Sequence, residues 1–386
     1  MNTFANWWIR EYILVTYGVE QMSDLLTIAS KFDLNGEAYS CEPFGSGHIH
    51  DTYLLETKDE DVQRFILQRI NTFVFTKPDA VQENIWRILS FLKNLEKANK
   101  PIGIRDLGLV ETKDGELAFV DSGGSYWRCF DYIDNTFVLQ NVQNPSQAFE
   151  GARLFGDFMA RLMDYDPRRL HVTIPRFMDA EWRQEQLTTA EFTNPGERLK
   201  QAQPELKRIR QLQSISDQYI RLQEALPDRV VHNDCKINNI LFNQATGKGM
   251  TVIDLDTVMT GKMLTDFGDM VRTFTVQGSE DSTEEAAYTC QAALFEGLVS
   301  GYAEVLAPVI TEVERANLLL GGKIVIYLQA IRFLADYINN DVYYKVSSPE
   351  QNLLRTRNQL NLLDSVLEQE SDLQAIIEKS FGGGSK

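Results

Sequence analysis

His232-Asn233-Asp234-Cys235-Lys236-Ile237-Asn238-Asn239 fits the pattern H-x-D-x-x-x-x-N. In phosphoryl-transfer enzymes this spacing puts an acid/base Asp and a metal-binding Asn on one short loop. On that reading Asp234 receives the proton of an attacking hydroxyl, and Asn239 binds a magnesium ion bridging the phosphates of ATP. Lys236, two residues past the Asp, reaches the transferred phosphoryl group as a point charge. The plainer alternative is a turn, because His-Asn-Asp opens turns well and Asn-Asn closes them.

The residues after the loop favour the chemical reading. Leu241-Phe242 leaves it as a short apolar strand, 243–249 reads as a hairpin turn, and Met250-Thr251-Val252-Ile253 returns as a second strand. A hairpin brings its ends together, so Asp254 is expected beside Asn239. A carboxylate and an amide oxygen, completed by phosphate oxygens and water, make ordinary magnesium coordination. A simple acidic strand end is the alternative for Asp254. Asp266-Phe267-Gly268 spells the DFG of protein kinases, but the hairpin already supplies the metal-site carboxylate. Asp266 is therefore expected to cap a helix or to support the catalytic loop from the core.

Composition bounds the function class. At 386 residues the chain can bury two substantial cores, and 43% hydrophobic with 24% charged residues is ordinary for a soluble globular protein. A net charge of −17 argues against nucleic acid and anionic membrane surfaces as partners, without forbidding ATP. No stretch reaches 18 apolar residues, so no membrane-spanning helix is expected. Cys41, Cys129, Cys235 and Cys290 are scattered, which suits a reducing cytoplasm and disfavours disulfides or structural zinc. Cys235 reads as a packing residue rather than a reactive thiol. Arg10 and Glu11 interrupt the apolar opening segment, which does not read as a signal peptide and leaves Met22 as an alternative start.

Periodicity divides the chain. Residues 1–35 read as an extension with a first helix over Ser23 to Lys31, and 36–133 as a β-rich nucleotide-binding lobe with one helix at 79–92. Residues 134–380 read as a helical lobe carrying the catalytic loop, with helices at 146–164, 200–226, 284–305, 312–340 and 350–369. Residues 381–386 read as a flexible tail. The predicted class is α+β, in the bilobal protein-kinase-like plan. Gly45-Ser46-Gly47 sits between two β-like runs, where paired glycines let backbone N–H groups approach phosphate. A bare glycine hairpin is the alternative. Arg69, ending Phe65-Ile66-Leu67-Gln68-Arg69, stands where a kinase carries its phosphate cation, with Glu83 as its expected partner. Phe130 and Tyr132 lie in a run that forms the adenine-binding hinge or simply core.

Taken together, Phe44–Tyr53, Leu67–Asn71, Trp127–Ile133, His232–Phe242, Ile253–Thr257, Asp266–Thr273, Arg332–Val346 and Asn352–Arg357 resemble the aminoglycoside phosphotransferase-like small-molecule kinases. The likeness covers most of 24–370 and is greatest to the N-acetylhexosamine 1-kinase branch. It implies ATP- and magnesium-dependent phosphorylation of the anomeric hydroxyl of N-acetylglucosamine or N-acetylgalactosamine. It also implies a sugar side made by Phe177, Asp179, Arg332 and Asp336; within Pro175–Asp179 the family carries a His near the place of Met178, a departure that leaves the identity of the sugar open. Another kinase of the same family, acting on aminoglycosides, methylthioribose or amino alcohols, is the runner-up. A nucleotide-binding pseudokinase is a third reading, suggested by Arg69 in place of Lys.

Overall fold

In a computed structural model, residues 22–45, 49–58, 61–97, 107–278, 280–283 and 288–382 are described. The 1–21 extension, Ser46, Gly47 and the last residues of the tail lie outside them. The chain forms two compact units, the first ending at Asp134 and the second running on from Asn135.

The first unit contains helix α1 (22–29), strands β1 (Glu37–Pro43), β2 (Asp51–Lys58) and β3 (Gln63–Arg69), helix α2 (Pro78–Lys97), and strands β4 (Leu109–Val110), β5 (Phe119–Val120) and β6 (Tyr126–Asp131). The strands form an antiparallel sheet in the order β1-β2-β3-β6-β4, with β5 also on β6. Alternation along the strands sends Leu55, Phe65, Leu67, Trp127 and Cys129 to one face, where Leu25, Ala29 and Phe32 cover them. Helix α1 is thus part of this core. The opposite face carries Thr52, Gln68 and Arg128 in register and meets α2 through Gln82. In α2 the apolar spacing is realised as buried Val81, Ile85, Ile88 and Leu92.

The second unit is mainly helical. Its elements are β7 (Thr136–Phe137), α3 (Pro145–Arg161), α4 (Ala180–Thr193), α5 (Glu197–Gln201), α6 (Gln203–Gln211), α7 (Gln213–Leu222), β8 (Arg229–Val231), β9 (Ile240–Asn243), β10 (Gly249–Val252), β11 (Met259–Gly261), α8 (Met263–Phe274), α9 (Ala292–Leu306), α10 (Glu312–Ala316), α11 (Leu318–Ile338), α12 (Gln351–Glu368) and α13 (Glu370–Gly382). The helix expected over 200–226 is three helices. Pro204 enters at the start of α6, where it lacks the N–H needed to continue α5. The one expected over 312–340 breaks at Asn317, whose side-chain amide donates to the Val313 carbonyl at 2.8 Å.

Helix α11 is long and apolar enough to cross a membrane by length and composition. In the fold 89% of that window is buried, as in a core helix. It packs on α8, α12 and α4. A Cβ on Gly268 would lie 2.2 Å from the Gly321 carbonyl oxygen, so α8 and α11 meet backbone to backbone.

Two small sheets frame the loop of interest: β7-β9-β10, and β8 paired with β11. The predicted hairpin forms from β9 and β10. Its turn is set by the Asn243 side chain, which accepts from the N–H groups of Ala245 and Thr246, and by Gly247 at φ +68°.

Candidate active site

Strand β8 delivers the chain into His232, and the next seven residues fold back on themselves. Lys236 Nζ lies 3.0 Å from Asp234 Oδ1, and Asn239 Nδ2 donates to Asp234 Oδ2 at 2.8 Å and to its backbone oxygen at 2.9 Å. The Asp234 carboxylate is therefore fixed from both sides. Burial alone would raise its pKa, but the Lys236 charge and the bonds from Lys236 and Asn239 outweigh that and hold it below the usual range. The Asp234 charge in turn raises Lys236, which stays cationic.

The loop is anchored from the core. His232 is fully buried; its Nδ1 accepts from the Asp234 N–H, so its Nε2 donates to the Ile253 carbonyl at 3.1 Å. Burial lowers its pKa and keeps it neutral. Asn233 takes a left-handed φ of +64°, and its side chain donates to the Thr257 carbonyl. The backbone N–H groups of His232 and Asn233 both donate to Asp266, at 2.7 and 2.8 Å. Asp266 lies inside the first turns of α8, whose N-cap is Lys262. Of its two expected roles, it therefore performs loop support and not capping. Burial pushes its pKa up to about 7 against those two donors. Cys235 is buried, and burial raises its thiol far above the range of a reactive thiolate.

The hairpin brings Asp254 to the loop. The Ile253 N–H donates to the Asn239 carbonyl at 2.9 Å, and Asp254 follows at φ +61° with its side chain exposed. Because the Asn239 amide nitrogen is engaged by Asp234, its side-chain oxygen is the atom left to accept a cation. An amide oxygen beside an accessible carboxylate is the hard donor set that suits magnesium.

In the first unit, Gly45 has φ +80°, a conformation that favours glycine. Its expected companions Ser46 and Gly47 are outside the described residues. Phe130 is buried, with the Arg128 guanidinium over its ring, and Tyr132 meets Phe44 edge-on. The Tyr132 N–H donates to the Arg64 carbonyl. The expected Arg69–Glu83 pair is corrected: Arg69 pairs with Asp51 across the β2–β3 register, while Glu83 pairs with Arg87 one turn along α2. The physical reason is strand alternation, which turns Arg69 onto the face of Trp127, away from α2.

Of the four residues expected on the sugar side, the structure unites Phe177 and Arg332. The Arg332 guanidinium lies 5.1 Å from the Phe177 ring centre and 5.6 Å from that of Tyr344, and it donates to Gln329. Asp179 instead caps α4 and pairs with Arg176. Asp336 is buried and accepts from the N–H groups of Tyr343 and Tyr344 and from Asn352. It shapes the loop that presents Tyr344. Sequence reasoning missed Tyr344, Thr257 and Arg183. Thr257 donates to the His232 carbonyl at 2.6 Å. Arg183 is buried and held by the Phe177 carbonyl and Gln186, and burial, then the Arg332 charge, lowers it to about 10. For Tyr344 and Thr257 the only signal was their place within the segments of family likeness.

Several known proteins share this architecture. The microcompartment-associated aminopropanol kinase superposes with a TM-score of 0.54 at 16% identity, over 90% of this chain and 98% of that one. An aminoglycoside phosphotransferase from Alicyclobacillus acidocaldarius gives 0.56 at 12%, over 92% and 94%. An amicoumacin kinase, solved with AMP-PNP and Ca2+, gives 0.54 at 14%, over 88% and 92%. At such identities these likenesses establish the protein-kinase-like fold. The sequence model of the phosphotransferase enzyme family known as APH matches residues 40–305, a span that runs from the first strand through the 232–239 loop into α9. With more than half of its length in that match, the chain belongs to the APH phosphotransferase family.

Proposed function

We propose that the protein transfers the terminal phosphate of ATP to the anomeric (C1) hydroxyl of an N-acetylhexosamine, giving the sugar 1-phosphate. The observation that carries the chemistry is the Asp234 carboxylate clamped between Lys236 and Asn239. Held ionised, Asp234 orients the acceptor hydroxyl and takes its proton as the bond to phosphorus forms. Lys236 stands beside it to meet the charge of the transferred group. Asn239 and Asp254 would hold magnesium, which supplies positive charge to the phosphates when bound with ATP.

The acceptor class rests on the likeness of 332–346 and 44–53 to N-acetylhexosamine 1-kinases. It draws further support from charge: Arg183 and Arg332 stand close enough to depress Arg183. Two neighbouring cations disfavour the ammonium groups of aminoglycosides, choline or amino alcohols and suit an uncharged sugar. An acceptor screen with ATP and magnesium tests the reading, comparing free hexoses, their 1-O-methyl glycosides and amino alcohols by ADP release. N-acetylhexosamines should turn over and their methyl glycosides should not. Turnover of the methyl glycosides would exclude C1 as the site, and preference for amino alcohols would exclude the sugar.

A further inference from the structure

Glu280 takes no part in the proposed phosphoryl transfer, yet short chains of contacts link it to the 232–239 loop and to the loop that presents Tyr344. Arg272 of α8 holds its side chain: Nε donates to Asp269 at 2.9 Å and Nη1 donates to Glu280 Oε1. The residue after Arg272 leads to the first loop, because the Thr273 hydroxyl touches the Cys235 carbonyl at 3.5 Å, one residue before Lys236. Arg355 of α12 leads to the second. Its Nε donates to Asp281 at 2.6 Å and its Nη1 to the Lys345 carbonyl at 3.2 Å. Asn358, one turn further along α12, donates to the carbonyls of Glu280 and Ser282 at 3.1 and 2.9 Å and so fixes the backbone. The charge of Glu280 is felt at both ends. The Lys236 ammonium, raised first by Asp234, is raised further by Glu280. The Tyr344 hydroxyl, raised first by burial, is raised by Glu280 as well.

Arg272 engages one carboxylate oxygen of Glu280. The other, Oε2, has no partner among the described residues, and the side chain is 34% exposed. The groups at the two linked ends are donors. Lys236 is an ammonium, Arg332 is a guanidinium that donates to Gln329, and the Tyr344 hydroxyl accepts from Gln329, which leaves its proton to give. A sugar hydroxyl both donates and accepts, so donors alone satisfy half of it. We propose that Glu280 accepts a hydrogen bond from a ring hydroxyl of the acceptor, other than the anomeric one, and so selects sugars that present a hydroxyl there; this rests on the sugar-kinase reading. A charged acceptor makes a stronger bond than a neutral one. The clasp of Arg272, Arg355 and Asn358 holds the carboxylate in place before the sugar arrives, which reduces the ordering cost of binding. An acceptor without that hydroxyl would cover Oε2 and give it no partner, and a polar group left unpaired in this way discriminates strongly.

The test is steady-state kinetics at saturating ATP and magnesium, with whichever of N-acetylglucosamine and N-acetylgalactosamine turns over faster and with its 3-, 4- and 6-deoxy analogues. In Glu280→Gln the bond from Arg272 retains the oxygen and an NH2 faces the sugar. Acceptor kcat/KM should fall about 10- to 100-fold, the loss of one hydrogen bond to a charged group, while the ATP KM stays within about twofold. One deoxy analogue should show the same fall with the wild type. On that analogue Glu280→Gln should cost no more than about twofold, because the two changes remove the same bond. A wild type indifferent to all three deoxy positions would overturn the proposal without any variant. An unchanged acceptor kcat/KM in Glu280→Gln would also overturn it, as would losses that multiply on every analogue. An equal rise of the ATP and acceptor KM would reduce Glu280 to a structural role. Each of those outcomes leaves the sugar-kinase reading standing. A wild type that phosphorylates neither N-acetylhexosamine refutes that reading, and the inference falls with it.

Discussion

Replacing Asp266 by Asn isolates the buried carboxyl that holds the 232–239 loop. Asp266 is 2% exposed and accepts two backbone N–H groups, from His232 and Asn233. Burial outweighs those donors and moves its pKa from 3.8 to about 7. A group whose folded pKa lies above its unfolded one contributes stability below the unfolded pKa and loses it as the pH rises through the folded pKa. The wild type should therefore be most favoured by this group below about pH 4 and should lose up to about 4 kcal/mol from it by pH 8. Asn cannot titrate, and its NH2 faces one of the two donors, a mismatch worth about 1–3 kcal/mol at every pH. Urea unfolding of both proteins at pH 5, 6, 7 and 8 measures the stability difference and cancels the other titrating groups. The wild-type advantage should be greatest at pH 5 and shrink by several kcal/mol toward pH 8. A constant difference, or one that grows with pH, would show that the two donors hold Asp266 ionised and that burial does not set its charge.

The same geometry sets other outcomes. Asp234→Asn should lower kcat by about 10²–10⁴ with ATP-magnesium affinity nearly unchanged, and retention of most activity would remove Asp234 from the chemistry. In Asp254→Asn both the magnesium-nucleotide affinity and the rate should fall, read by magnesium titration of kcat/KM; an unchanged magnesium dependence would count against the proposed ligand. Gly268→Ala drives a methyl into the Gly321 carbonyl and should cost roughly 1–3 kcal/mol, seen as a lower Tm, with KM for ATP unaltered in the folded protein. Arg332→Met should raise the acceptor KM about tenfold or more and leave the ATP KM alone. An equal rise in both would make Arg332 a general structural residue.

The geometry of the 232–239 loop was legible because its information is local. H-x-D-x-x-x-x-N fixes residue types at short separations, and a two-strand hairpin predicts which chain ends meet without knowledge of the fold. The Ile253–Asn239 hydrogen bond is that prediction realised. The role of Asp266 was half legible. A DFG spelling gives no sign that Asp266 reaches back 34 residues to the His232 N–H, or that Gly268 is small because α11 touches it there. Helix ends depended on single residues, Pro204 and the Asn317 side chain, that act against otherwise continuous apolar spacing.

Arg69 shows where motif reasoning stops. A strand with period two makes neighbouring residues differ by a face of the sheet, so locating a cation to within one residue still leaves its direction open. Gln68-Arg69 offered one polar residue to each face, and the expectation followed charge. The sheet register sets those directions: Gln68 aligns with Arg128 and Gln82 on the helix side, while Arg69 aligns with Asp51 and Trp127 on the other, out of reach of Glu83. That register is set by long-range pairing of β3 with β6, some 60 residues away, and by the α1 core under Leu67 and Trp127. The apolar alternation of Phe65 and Leu67 already places Arg69 on their face, away from Glu83 on α2. In a half-buried sheet, the apolar residues that choose the face thus say more about where a charged neighbour points, and with what it pairs, than the charge itself does.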